Sequence, residues 1–191
     1  HLDGEAFVVT PYASALACLV EDEMTLGTIV IDLGGGTTDI AAFQNGALVF
    51  ADSITIGGGH VTQDIAHGLS TPIVHAERIK IQYGSAVPQP GDDRAVLDVP
   101  QIGAPEDGPP NHMPKSLLVG IIKPRIEETM ELVRAKIEKS GLPKAAARRV
   151  VLTGGASQLA GADQIAGSVL DRQIRLGRPR RLRGLAESAT G

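Results

Sequence analysis

Three consecutive glycines, Gly34-Gly35-Gly36, follow the β-branched run Thr28 to Ile31 and its closing Asp32, and lead into Thr37, Thr38 and Asp39. A strand that stops at a carboxylate and passes into residues without Cβ atoms can turn several backbone N–H groups into one concavity, where phosphate oxygens approach without steric clash. Thr37 and Thr38 add hydroxyl donors. Asp32 and Asp39 repel bare phosphate, but both become favourable once Mg²⁺ and its waters stand between. An isolated glycine triplet would read as a ligand-free hairpin turn; the flanking carboxylates and hydroxyls point instead to a metal-bound nucleotide.

A second stretch, Val150-Val151-Leu152-Thr153-Gly154-Gly155-Ala156-Ser157, leads from a strand toward a helix predicted over 158–170. Its residues are too small to block a flat ring or a sugar, and a helix N-terminus there favours negative charge. Alone it is weak, since many α/β turns use two glycines; beside the first stretch it gains meaning. In a third, Glu77 and Lys80 lie three apart on a helix predicted over 75–83, so both polar groups share a face. They suit a ribose and a base edge, although by themselves they would read as a surface ion pair.

The rest of the chain alternates in an α/β manner. Thr10-Pro11 is a helix-start signal, with Thr10 as a cap and the helix over 13–20, followed by an acidic turn at Glu21 to Glu23. Strands are predicted over 28–32, 39–43 and 47–52, the last two joined by the hairpin dipeptide Asn45-Gly46, with Ile54 and Ile56 extending the sheet. Val61, Ile65 and Leu69 mark a helix that Pro72 ends. Seven of the 12 prolines fall between Pro88 and Pro114, which reads as a loop-rich insert around a strand at 94–99. Over 116–140, Leu118, Ile122, Ile126, Met130, Val133 and Ile137 form one apolar stripe at helical spacing. That stripe is core; Pro124 should kink or restart the helix, and Gly141 and Pro143 should stop it. A short strand is expected at 150–152 and a last one at 173–176.

Composition limits the functional classes. The 191 residues are 42% hydrophobic and 21% charged with a net charge of -4, which suits one sizeable core with or without a small inserted module and offers no global basic field for nucleic acid. The exception is the cluster Arg175, Arg178, Arg180, Arg181 and Arg183, read as a solvated chain end. No apolar run approaches the roughly 20 residues of a spanning helix. Cys18 reads as a small buried hydrophobe. His60 and His67, without cysteine partners or HExxH spacing, read as solvated or core histidines. The chain opens on His1 and stops at Gly191 without an obvious terminal element, so the expectation is a fragment of a longer protein.

In this order the three stretches resemble the actin-like ATPase superfamily, and the likeness is most detailed to the FtsA family of bacterial cell-division proteins. It rests on Pro11-Tyr12-Ala13-Ser14-Ala15-Leu16-Ala17, Gly35-Gly36-Thr37-Thr38-Asp39-Ile40, Ala76-Glu77-Arg78-Ile79-Lys80, Pro124-Arg125-Ile126-Glu127-Glu128, Val151-Leu152-Thr153-Gly154-Gly155-Ala156 and Leu176-Gly177-Arg178-Pro179. The resemblance implies an α/β, ribonuclease H-like lobe of a two-lobed fold: subdomain 2A over 1–59 and 113–191, with subdomain 2B, a small α+β insert, over 60–112. It implies ATP in a cleft, with Asp32 and Asp39 facing Mg²⁺, Gly34, Gly35, Gly36, Thr37 and Thr38 clasping phosphates, Glu77 and Lys80 meeting ribose and base, and Gly154, Gly155 and Ala156 lining the adenosine. It also implies self-association into filaments, docking of the C-terminal tail of the tubulin-like protein FtsZ on the insert, and a peripheral place on the cytoplasmic face of the inner membrane through elements outside this chain.

The hydrolysing chaperones of the superfamily carry a glutamate before the proline of the first helix, where this chain has Thr10, which offers no carboxylate base. The resemblance therefore implies at most slow hydrolysis, and no residue stands out as catalytic. Two other readings fit the residues: a small-molecule kinase of the same superfamily, which would need an acid or base aimed at its acceptor, and an α/β interaction domain with a vestigial nucleotide site.

Overall fold

The computed structural model describes residues 7–103, 105, 108–143 and 149–179. A five-stranded sheet forms its centre. Strand β1 (Thr28–Leu33) pairs antiparallel with β2 (Thr38–Gln44), which pairs with β3 (Ala47–Ile54), and parallel with β6 (Arg149–Thr153), which pairs in parallel with β7 (Gln173–Leu176). The β2–β3 hairpin turns through Asn45 and Gly46 at φ 51° and 77°, the positive angles that a two-residue hairpin turn needs.

Strand alternation sorts the core into two layers. Ile29, Ile31, Leu33, Ile40, Ala42, Val150 and Leu152 point to one side, where they join the buried stripe of α5 (Lys115–Lys139) and residues of α3 (Gly58–Gly68) and α6 (Ala162–Leu170). Val30, Ala41, Phe43 and Val151 point to the other, against Ala15, Cys18 and Leu19 at the end of α1 (Thr10–Cys18). A strand such as β1, with Ile29, Val30, Ile31 and Leu33 all buried on alternating sides, is what a sheet covered on both faces requires.

Between β3 and α5 the chain builds α3, α4 (Ile73–Tyr83) and a two-stranded ribbon of β4 (Val96–Val99) and β5 (Asn111–Pro114). Leu97 and Val99 are buried in the same large core. The Thr71 hydroxyl donates to Pro100 O at 2.6 Å, Ile102 N to Ser70 O at 3.0 Å, and Lys115 pairs with the buried Asp92 at 3.0 Å. All six stripe positions of α5 are buried.

Several boundaries differ from the sequence reading, each for a local reason. Thr10 is the first helical residue of α1 rather than its cap; Val9 takes that place, with no side-chain cap bond. Glu21, Asp22 and Glu23 open a short helix, α2 (Glu21–Leu26), where acidic side chains suit the helix N-terminus and Glu23 accepts from Val20 N at 3.0 Å. Helix α5 runs through Pro124 without restarting; burial of the stripe on both sides of the proline outweighs the one lost backbone bond. Strand β5, Asn-His-Met-Pro, carries no strand-like composition and exists because its partner β4 supplies the ladder. After β6 comes a 3-10 turn, Gly155–Gln158, and α6 begins only at Ala162. Arg180, Arg181 and Arg183 lie outside the described residues, whereas Arg175 pairs with Glu23 at 2.7 Å.

Candidate functional site

Because β1 and β6 are parallel neighbours with Asp32 opposite Thr153, the two glycine turns leave the same carboxyl edge of the sheet, where ligands of open α/β sheets bind. The first turn is closed by Gly34 N donating to Thr37 O at 2.9 Å. The second must swing tightly past the first: Gly154 sits at φ +87°, and a Cβ there would come within 2.5 Å of Leu33 O and against Asp32 Oδ1. A side chain at residue 154 would thus be strained and would push the turns apart.

A third glycine run, Gly57-Gly58-Gly59, interlocks with these two. Gly58 N donates to Gly34 O at 2.8 Å and Gly59 N to Gly35 O at 2.7 Å. The packing is so close that a Cβ on Gly57 would lie 2.6 Å from Gly34 O. The sequence reading carried the sheet as far as Ile56 and assigned this run no role. Its three glycines at the start of an apolar-periodic helix were the available signal for a close backbone approach.

A cleft of about 740 Å³ opens where these runs meet α4. Gly34, Gly35, Glu77, Lys80, Gly155 and Ala156 all line it, joined by Gln82, Gln158 and Leu159. Three stretches that lie far apart in the chain therefore share one cavity. Asp32, Gly36, Thr37, Thr38, Asp39 and Gly154 are not part of its lining; they occupy the strand ends and the turn beside it. Thr37, Gly35 and Gly36 are exposed, whereas Thr38 is buried and donates its hydroxyl to Ile56 O at 2.7 Å. Thr38 thus holds the turn to the segment before α3 rather than presenting a free donor.

The carboxylates are held by hydroxyls. Ser14 Oγ on α1 donates to Asp32 Oδ2 at 2.5 Å, and Ser53 Oγ on β3 donates to Asp39 Oδ1 at 2.5 Å. Asp32 and Asp39 face each other as partners in the β1–β2 register. Among the described residues neither has an ion-pair partner. Two adjacent carboxylates oriented by neutral donors and without a protein cation are a donor set suited to a hard divalent ion. On the opposite wall Lys80 Nζ contacts Glu77 Oε2 at 2.7 Å. Burial pushes the Glu77 carboxyl up, but hydrogen bonds from Lys80 and Thr62 outweigh it and leave the group below its usual range.

The architecture belongs to the actin-like class of folds. The actin-like ATPase fold recurs in solved structures: MreB5 of Spiroplasma citri bound to AMPPNP superposes with a TM-score of 0.68 at 22% identity over 85% of this chain and 51% of that one. A non-polymerising MamK mutant bound to AMPPNP gives 0.64 at 20% identity over 86% and 52% of the two chains, and the MamK double helical filament 0.64 at 20% over 87% and 53%. Within that class the sequence is more specific. The family model for cell division protein FtsA matches residues 29–190, and the chain belongs to that family. It is 50% identical over 191 residues to cell division protein FtsA of Rhizobium meliloti (strain 1021), covering 100% of this chain and 43% of that protein. Against the FtsA of Pseudomonas aeruginosa it is 38% identical over 186 residues, 97% of this chain and 44% of that one. The chain thus spans less than half the length of these curated relatives. Among the described residues no helix is long and apolar enough to cross a membrane.

Proposed function

We propose that this chain is the nucleotide-holding lobe of an actin-like cell-division protein and that it clasps ATP with Mg²⁺. The observation that carries this reading is the convergence of Gly34 and Gly35, Glu77 and Lys80, and Gly155 and Ala156 on one cleft. The phosphates lie against Gly34, Gly35 and Gly36, with Thr37 at their exposed side and Thr38 fixing the turn from behind. Asp32 and Asp39, beside the phosphate turn, hold the Mg²⁺ that neutralises the triphosphate. Glu77 and Lys80 wall the ribose and base end, and Gly154, Gly155 and Ala156 line the adenosine. Structures of MreB5 and MamK that share this fold are bound to AMPPNP, which supports a nucleotide as the ligand of this chain as well.

The five-stranded sheet with α1, α5 and α6 serves as subdomain 2A, and residues 60–112, with α4 and the β4 strand, serve as the inserted subdomain 2B. In the full-length protein the nucleotide sets the conformation of an actin-like protomer that self-associates into filaments, docks the FtsZ C-terminal tail on the insert, and ties FtsZ to the inner membrane as the divisome assembles. Membrane attachment belongs to parts of the protein outside this chain. Where the hydrolysing chaperones of the superfamily carry a glutamate, the first helical turn here has Thr10, which supports at most slow hydrolysis with conformation as the main output.

Calorimetry of the full-length protein with Mg-ATP tests the nucleotide reading: saturable binding that chelation of Mg²⁺ weakens is expected, and its absence contradicts the reading. For the partner, the FtsZ C-terminal peptide should be captured by the full-length protein. Capture that persists after residues 60–112 are deleted would place the docking surface elsewhere.

A further inference from the structure

A lysine ammonium has three N–H donors, and three oxygens meet the Nζ of Lys80: Gly58 O at 3.0 Å, Thr62 Oγ1 at 2.8 Å and Glu77 Oε2 at 2.7 Å. Its donor set is filled inside the protein. The lysine side chain is only 14% exposed, whereas that of Glu77 is 46% exposed. Thr62, on α3 and 4% exposed, accepts from Lys80 and has a single hydroxyl proton to give. Two acceptors compete for it, Gly58 O at 3.2 Å and Glu77 Oε2 in closer contact, and the nearer, charged oxygen takes it. Lys80 and Thr62 therefore grip the same oxygen of Glu77 from two helices, and Oε1 receives no protein donor among the described residues. Gly58, the other end of the Lys80 clasp, is the residue whose amide binds Gly34 in the phosphate turn.

We infer that Thr62 is a positioning residue for nucleotide recognition: it fixes the Glu77 carboxylate so that the free oxygen accepts a sugar hydroxyl of the bound nucleotide, while Lys80 clasps the same carboxylate to the Gly58 carbonyl. This rests on the nucleotide reading above and adds a division of labour to it. A carboxylate pinned through one oxygen loses little rotamer freedom when the other meets a ligand, which is how a preorganised polar wall discriminates. Without the Thr62 hydroxyl, Glu77 is free to turn toward water, and recognition of the sugar hydroxyls fades first.

The test is calorimetry on the full-length protein with Mg-ATP and with Mg-2′,3′-dideoxy-ATP, for wild type, Thr62→Val and Thr62→Ser. Wild type should prefer ATP by roughly tenfold or more, the worth of a hydrogen bond to a charged acceptor. Thr62→Val should bind the dideoxy nucleotide as wild type does and ATP no better, so that the preference collapses, and Thr62→Ser should restore it. A merely structural role would weaken both nucleotides alike, which overturns the inference. Thr62→Ala, which introduces no misplaced methyl, gives the same comparison should Thr62→Val fail to fold. Wild type that binds both nucleotides equally, or a valine variant that keeps the preference, also overturns the inference while leaving the nucleotide reading intact. Wild type that binds no Mg-ATP overturns both.

Discussion

Asp32 on β1 and Thr153 on β6 occupy the same rung of two parallel strands, and just beyond each the chain enters a glycine turn. From this pairing the site follows. Parallel neighbours share a carboxyl edge, so the two turns cannot diverge, and Gly154 passes close enough to Leu33 that only a residue without a Cβ fits.

Asp32→Asn keeps the size of the side chain and its contact with Ser14 but removes the charge. Its affinity for ATP in the presence of Mg²⁺ should fall roughly 10–100-fold, the scale of losses at metal shells, and its affinity in EDTA should not. Paired titrations with and without Mg²⁺ measure this. Equal affinity of the two proteins for ATP in the presence of Mg²⁺ would remove Asp32 from the site.

Gly154→Ala places a Cβ at φ +87° and within 2.5 Å of Leu33 O. The strain alone costs about 1–3 kcal/mol, and the clash displaces the second turn from the first. Denaturant unfolding should report the loss of stability, and ATP titration a weaker site. Unchanged stability would mean that the turns do not pack as described.

Ile122 is fully buried on α5, against the sheet face that carries Ile29, Ile31 and Leu152. Ile122→Ala should destabilise by about 2–5 kcal/mol, read as a lower denaturation midpoint. A loss below about 1 kcal/mol would deny that this helix closes the core.

Lys136 hydrogen-bonds Asp52, with Ser53 N as a second donor, and together they hold the Asp52 carboxyl below its ordinary range. A carboxyl lowered in the folded state contributes stability that is present above its unfolded value and is lost as pH falls through its folded value. Wild type should therefore lose stability on acidification below about pH 4 more steeply than Lys136→Met, and the two curves should converge in acid. Parallel curves from neutral to acid pH would show that the pair is not formed.

Much of this was legible in the residues. The glycine triplet with its carboxylates, the Asn45-Gly46 hairpin and the apolar stripe of α5 are local patterns with local causes, and the structure keeps each. What escaped depends on partners distant in the chain. Strand β5 has no propensity of its own and is made by β4. Pro124 stays inside a helix because the core on either side of it decides. The Gly57-Gly58-Gly59 run acquires its meaning only when folding brings it onto the Gly34–Gly35 carbonyls. Thr62 looks like an unremarkable helical polar residue until α4 lays Glu77 and Lys80 against it. The family likeness supplied what spacing could not: the expectation that the three stretches meet, as their residues do in lining one cleft.

The most direct measurement is a crystal structure of the full-length protein with Mg²⁺ and a non-hydrolysable ATP analogue. The triphosphate should lie within hydrogen-bond distance of the Gly34–Gly36 amides, with the metal beside Asp32 and Asp39 and the nucleoside between α4 and Gly155–Ala156. Nucleotide density anywhere else, or phosphates that do not touch the first glycine turn, would contradict the account.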